Sequence, residues 1–198
     1  MTQDILSDRD LDLIFREARS FTGWQDMPVS EITIRAMYDL LRWGPTSYNC
    51  SPARFVMVRS AEAKQKLAAC ALDLNRERIL AAPFSVIIGS DDKFYEKLPQ
   101  LFKAHPGARD IFAGNAKLAE ETAFRNSCLQ GAYLIIAARA LGLDCSPMSG
   151  FNPKKVNEEF FADRPCRVNF ICSIGYGDRS GLAPRDQRLS FDEACEII

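Results

Sequence analysis

Gly44-Pro45-Thr46-Ser47-Tyr48-Asn49-Cys50-Ser51-Pro52-Ala53-Arg54-Phe55 fixes small hydroxyl and amide side chains between two prolines, and its reading decides that of the whole chain. A helical spacing of apolar residues, Ile34, Met37, Tyr38 and Leu41, runs into it from a cap at Ser30. An apolar strand pattern, Phe55 to Val58, leaves it. Its polar groups therefore sit where a helix meets a sheet. Such junctions bind ligands more often than random loops do, so the segment reads as a ligand cradle.

Working outward toward the N-terminus, Leu11, Leu13, Ile14, Phe15 and Ala18 predict a first helix from Ser7 to Arg19, with Ser7 or Asp8 as its cap. In the other direction come a third helix, Ala61 to Leu72, and a buried strand, Phe84 to Gly89, introduced by Ala82-Pro83. Tyr95 to Asn115 mixes aromatics with Pro99, Pro106 and Gly107 and reads as an excursion of short helical turns, a lid over residues 93–118. Ala119 to Leu143 is the strongest helix, and its second half has almost no polar face. Such a helix is expected to be buried all round. In a chain this small a second copy would supply the cover, which predicts a homodimer. Gly142 ends the helix, Asp144 to Phe151 reads as a short polar loop, and Asn152-Pro153 opens a helix through Val156, Phe160 and Phe161. Val168 to Ile174 is a third strand, Gly175 to Arg188 a loop-like tail, and Phe191 to Ile198 a short helix or arm. The expected architecture is one domain over residues 1–198, with helices outnumbering strands around a small central sheet.

Composition narrows the function. The chain has 198 residues, 47% of them hydrophobic, enough for one sizeable core. Its 25 basic residues nearly cancel 26 acidic ones, and no Lys/Arg run is interleaved with aromatics, which argues against nucleic acid as a partner. No apolar stretch approaches membrane-spanning length, and Met1 to Asp10 is polar and acidic, unlike a secretory leader. The seven cysteines are odd in number and scattered, as in a reduced cytoplasmic protein. His105, the single histidine, and the absence of any CxxC pair leave zinc sites and nucleophile triads without support; metal chemistry is set aside. Gly175-Tyr176-Gly177-Asp178-Arg179-Ser180-Gly181 is one residue too long for a dinucleotide fingerprint. A polar constellation without metal or nucleophile suits a cofactor that brings its own reactivity, and flavin mononucleotide (FMN) fits. Its phosphate needs arginines, its pyrimidine edge needs amides, and its reduced form needs a nearby cation. The candidates are Arg16, Arg19 and Ser20, then Ser47 and Asn49, then Asn75 and Arg78. Each alone reads as a solvated or loop residue; only their joint order carries weight.

That order resembles the FMN-dependent nitroreductase family. Gly44 to Phe55 resembles its Pro-Ser-x-x-Asn-x-Gln-Pro signature, with Pro45, Asn49 and Pro52 in place, and Asn75-Arg76-Glu77-Arg78, Gly142 to Phe151, Gly175-Tyr176-Gly177, Arg185 and Arg188 recur in family order. Glu120 to Ser127, Leu129 to Tyr133 and Pro147 to Phe151 are most similar to the malonic semialdehyde reductase branch. The resemblance implies an α+β fold with a small, mostly antiparallel central sheet flanked by helices, in an intertwined homodimer with FMN at the subunit interface. It further implies reduction of malonic semialdehyde (3-oxopropanoate) to 3-hydroxypropanoate in pyrimidine breakdown, with NADH or NADPH as donor and hydride passing through flavin N5. No catalytic side chain is implied; the flavin carries the chemistry. Arg19 and Ser20 would contact the phosphate and ribityl chain, with Arg16 as a second basic candidate and Arg185 and Arg188 as further phosphate cations. Ser47 and Asn49 would reach the flavin of the other subunit, Asn75 and Arg78 would face the pyrimidine edge, and Pro147, Ser149 and Gly150 would lie beside the ring. Ser51 and Ser149 stand where many relatives have Gln and Glu, so those side-chain roles do not transfer. For a carboxylate substrate, Lys103, Arg109 and Arg125 are the available cations. Two other readings stay open: a broad nitroaromatic or quinone reductase on the same flavin, and a non-catalytic flavin-binding protein.

Overall fold

Period-two alternation along the strands sorts the core onto two faces of one sheet. In the computed structural model residues 5–198 are described; Met1 to Asp4, the start of the polar, acidic N-terminal stretch, lie outside the described residues. Strands β1 (Ala53–Val58), β2 (Phe84–Asp91), β3 (Asp144–Met148) and β4 (Cys166–Gly175) pair antiparallel in the order β1-β2-β4-β3. Phe84, Val86 and Ile88 of β2 and Cys172 and Ile174 of β4 face helices α2 (Glu31–Leu41) and α7 (Ala116–Ala140). Ile87 and Ile171 face the opposite layer, built from α3 (Ala61–Cys70), α4 (Asp73–Ala81) and α8 (Pro153–Phe160). The result is an α+β sandwich with helices on both sides of a small sheet.

Local signals set most of the boundaries. Ser7 caps α1 (Asp8–Leu11) in a reciprocal box with Asp10, and Ser30, Ser60 and Asn152 each accept from a backbone N–H three residues on. Gly142, at φ 75°, terminates α7 in the left-handed region. Gly131 lets α7 approach the sheet: a Cβ there would stand 2.4 Å from the Phe170 ring.

Three expectations need correction, and one helix is not foreseen by the sequence reading. The first helix continues from α1 only as a π turn, Asp12–Arg16, and stops short of Arg19, because Ser20 turns away to bridge Cys145 of β3. The third helix ends at Cys70; Ala71 is extended and bridges Phe151. Residues 73–81, with no apolar period, form α4: only Ile79 is buried, and the Lys64 ammonium donates to Leu80 O and Ala82 O at its C-terminal end. Asp144–Met148, read as loop, is an edge strand. Its signal is masked because Ser146 is buried while Pro147, tolerated where one side of the ladder is unpaired, is exposed.

The long helix also departs from all-round burial. Leu134, Ala137 and Ala138 are buried, yet within one chain Phe124 and Leu129 are about half exposed, and Tyr133 more than a third. Tyr38, Leu40 and Trp43, at the end of α2, are exposed as well. The 93–118 excursion contains a 3-10 turn (Phe94–Lys97), α5 (Leu98–Leu101) and α6 (Ala108–Ala113), and it has a core of its own. Phe94, Leu98, Ala108 and Phe112 are buried there with Cys50, Ala119 and Ala123. The tail after Gly177 is almost wholly exposed, and its one helix is α9 (Phe191–Ala194). Among the described residues no helix is long and apolar enough to cross a membrane.

Candidate active site

Arg19, Ser20, Arg185 and Arg188, far apart in sequence, line one cavity of about 440 Å³ together with Phe15, Ala18, Asp186 and Arg139. A reciprocal stitch builds it. The Arg19 guanidinium donates to Ala183 O (2.6 Å), and the Arg185 guanidinium returns to Arg16 O (2.7 Å) and Ala18 O (2.8 Å), fastening the tail to the N-terminal segment. Arg188 donates to the carbonyls of Asp186 and Gln187 (3.0 Å each). Among the described residues none of these guanidiniums, nor that of Arg139, forms a carboxylate ion pair. Clustered arginines bonded only to carbonyls leave a strongly positive concavity, suited to a multivalent anion.

Arg16 takes no part in that lining. Its guanidinium pairs with Asp12 (2.6 Å) and Asp8 (3.0 Å), and their hydrogen bonds, Asp12 first, raise its pKa above the ordinary arginine value. Of the two N-terminal arginines, Arg19 is the one left facing the cavity.

The cavity opens beside the edge strand. Ser20 bridges Cys145, and the Phe21 N–H donates to Cys145 O (3.1 Å). From Cys145 the chain runs past Pro147 to Ser149 and Gly150, roughly 16 Å along at the usual rise of an extended strand. At that far end the Asn75 amide donates to Gly150 O (2.9 Å), which also accepts from Leu72 N–H (3.0 Å). A Cβ on Gly150 would lie 2.6 Å from Asn75 Nδ2. Asn75 keeps its carbonyl oxygen uncommitted among the described residues, and half-buried Arg78 follows one turn later on α4. Arginines, β3 and the Asn75–Gly150 contact thus form one continuous band.

The cradle lies elsewhere on the chain surface. Tyr48, Asn49 and Ser51 hold φ of 54°, 49° and 39°. Three left-handed non-glycine residues within four positions are rare, and such geometry persists only when its surroundings enforce it. Buried side chains of α7 do the enforcing. Asn126 Oδ1 accepts from Ser47 N–H (2.8 Å), and Gln130 Oε1 accepts from Ala53 N–H (2.8 Å). The Tyr48 ring meets Phe102 and Phe112 of the excursion edge-on, at 5.4 and 5.5 Å, and Asn49 Nδ2 donates to Leu101 O (2.9 Å). Ser47 and Asn49 are left exposed on the same side of the molecule as a second cavity, about 360 Å³, that Asn49 lines with Trp43, Arg54 and Lys97.

The substrate cations differ from one another. Arg109 is engaged by Glu96 in a two-point pair (2.9 Å each) and by Asp110 (3.0 Å). Lys103 and Arg125 are exposed and make no side-chain bond among the described residues. Sequence reasoning missed Arg139, Asn126 and Gln130. They stand inside a helix whose apolar content dominates its pattern, and only their helix-face position relative to the cradle and the tail would have marked them.

Comparison with known proteins follows this geometry. The model of the Nitroreductase family matches residues 16–176. A protein of Polynucleobacter asymbioticus with the provisional name NADH dehydrogenase/NAD(P)H nitroreductase is 52% identical over 194 residues, 98% of each chain. A similarly named protein of Ralstonia pickettii, HadB, is 52% identical over 186 residues, 93% of this chain and 95% of that one. Among solved structures, nitroreductase ydfN of Bacillus subtilis superposes with a TM-score of 0.85 at 18% identity, covering 97% of this chain and all of that one. A nitroreductase of Exiguobacterium sibiricum solved in complex with FMN gives 0.85 at 20% identity with both chains fully covered. At those identities the structural likeness concerns the fold.

Proposed function

Because the chain belongs to the nitroreductase family and is one of its oxidoreductases, we propose that it is an FMN-dependent, homodimeric reductase of malonic semialdehyde. The observation that carries the flavin assignment is the band from the arginine cavity to Asn75. A phosphate dianion fits four guanidiniums that, among the described residues, lack carboxylate partners, and there the buried Arg139 Nε has no acceptor of its own. Arg19, Ser20, Arg185 and Arg188 would hold the phosphate end, Pro147 to Gly150 the ring, and Asn75 and Arg78 its pyrimidine edge. When bound, the flavin supplies hydride acceptance from NADH or NADPH and hydride delivery to an oxidised substrate. The chain's own residues position and tune. With the flavin bound, Arg78 would place positive charge where the reduced ring becomes negative, and Asn75, braced on Gly150 O, would offer its carbonyl oxygen to a ring N–H.

Ser47 and Asn49 face outward with the strained cradle, and the exposed apolar faces of α2 and α7 lie on either side of it. A second copy covering Leu129, Tyr133 and Trp43 would bring that cradle to its partner's flavin. The substrate carboxylate would meet Lys103 or Arg125, whose charges no carboxylate engages among the described residues.

The malonic semialdehyde assignment rests on branch-like strings such as Glu120 to Ser127 and Pro147 to Phe151. Nitroaromatics and quinones are a second acceptor class, favoured by the nitroreductase names of both relatives. An anaerobic assay separates them: flavin-loaded protein reduced by NADH or NADPH should reoxidise with malonic semialdehyde at higher kcat/KM than with nitrofurazone or menadione. Reoxidation no faster with the aldehyde acid than without it would end the substrate assignment. A purified protein without flavin absorbance, and unable to take up added FMN, would end the cofactor assignment.

A further inference from the structure

Arg139 belongs to none of the motifs that name a flavin site, yet it lines the cavity of Arg19, Ser20, Arg185 and Arg188. Its Nη1 donates to Ile14 O (3.1 Å) on the π turn, while its Nε is buried and without any acceptor among the described residues. A buried, unpaired guanidinium N–H is costly and calls for a partner. Helix capping does not account for it. The last carbonyls of α7, those of Ala137, Ala138 and Arg139, are already taken by the N–H groups of Leu141, Gly142 and Leu143. Arg139 also differs from its neighbours in origin: the other three arginines sit on loop or tail segments, whereas it projects from a 25-residue helix.

Resting on the flavin reading above, we propose that Arg139 is a phosphate-binding residue, the fixed helix-borne side of the pocket, and that it makes the site select a phosphorylated flavin over the same flavin without phosphate. Ile14 O orients the guanidinium from behind, and the phosphate supplies the missing acceptor.

The test uses full-length apoprotein, with FMN and riboflavin binding followed by flavin fluorescence quenching, and inorganic phosphate as a separate probe of thermal stability. Arg139→Met should raise the Kd for FMN about 10- to 100-fold, the equivalent of one charge-assisted hydrogen bond. Riboflavin affinity should change less than about twofold, and most of the Tm rise given by inorganic phosphate should vanish. Arg139→Lys, which keeps the charge and loses the planar fork, should fall between. Equal weakening of FMN and riboflavin, or unchanged phosphate protection, would overturn the proposal. Should Arg139→Met fail to fold, Arg139→Lys decides it: unchanged FMN affinity overturns it and selective weakening supports it. A wild-type protein that binds FMN and riboflavin equally defeats the selectivity alone; one that binds neither defeats the flavin reading beneath it.

Discussion

Gly150→Ala perturbs the band at its pyrimidine end by a single methyl group. The new Cβ would stand 2.6 Å from Asn75 Nδ2 and 3.3 Å from Leu72 Cδ1, against an ordinary contact of at least 3.4 Å. Asn75 must therefore retreat by about 0.8 Å, which its 2.9 Å bond to Gly150 O does not allow. Overpacking of this kind costs about 1–3 kcal/mol and the lost hydrogen bond about 1 kcal/mol, while Gly→Ala recovers about 0.4–1 kcal/mol through the unfolded chain. The net loss is about 1–3.5 kcal/mol, or roughly 2–14 °C in Tm for a chain of this size. Asn75→Ala alone should cost about 1 kcal/mol, since Gly150 O keeps its bond from Leu72 N–H. With Asn75 truncated the added methyl meets only Leu72, so Gly150→Ala should then be nearly neutral. A double-mutant cycle, read by thermal unfolding at one fixed protein concentration, should show coupling of at least about 1 kcal/mol. FMN affinity should fall in both single variants and hardly further in the double. Equal costs of Gly150→Ala in the two backgrounds, within about 0.3 kcal/mol, would refute the account of this contact.

Leu129→Arg places a charge on the exposed apolar face of α7 and should turn the proposed dimer into monomer in light scattering, with flavin lost on gel filtration; an unchanged dimer would remove that face from the interface, and a wild-type monomer would end the dimer proposal. Arg109→Gln should leave KM for malonic semialdehyde within about twofold, because Glu96 and Asp110 already engage the guanidinium. A fivefold rise in KM would return Arg109 to the substrate site. Burial disfavours the thiolate and pushes Cys50 and Cys166 up to about 11, so at pH 8 only about one in a thousand of either is ionised. Iodoacetamide mass mapping should therefore label exposed Cys195 first and spare those two until the pH approaches 11 or the chain unfolds; early labelling of Cys50 would contradict its burial.

What the sequence determined by itself is the part governed by local pattern. Ser30 and Asn152 as caps, the apolar period of α2 and α7, the strands at Phe84 and Val168, and the stop at Gly142 follow from neighbours within a few residues, and the structure has them in place. The family, too, was legible, since Pro45 to Pro52 and the order of distant arginines form a signature no single residue carries. Tertiary structure alone decided where those residues meet. β3 escaped notice because a proline and a buried serine hide an edge strand, and α4 because Lys64 and Gly150 hold it from other segments. Arg16 and Arg19 are indistinguishable by composition. Asp8 and Asp12 claim the first, while Ala183 draws the second to the cavity. Arg139 looks like an ordinary helical arginine until the fold brings the N-terminal segment and the tail to it, since a group's burial and its missing partner depend on chain segments distant in sequence.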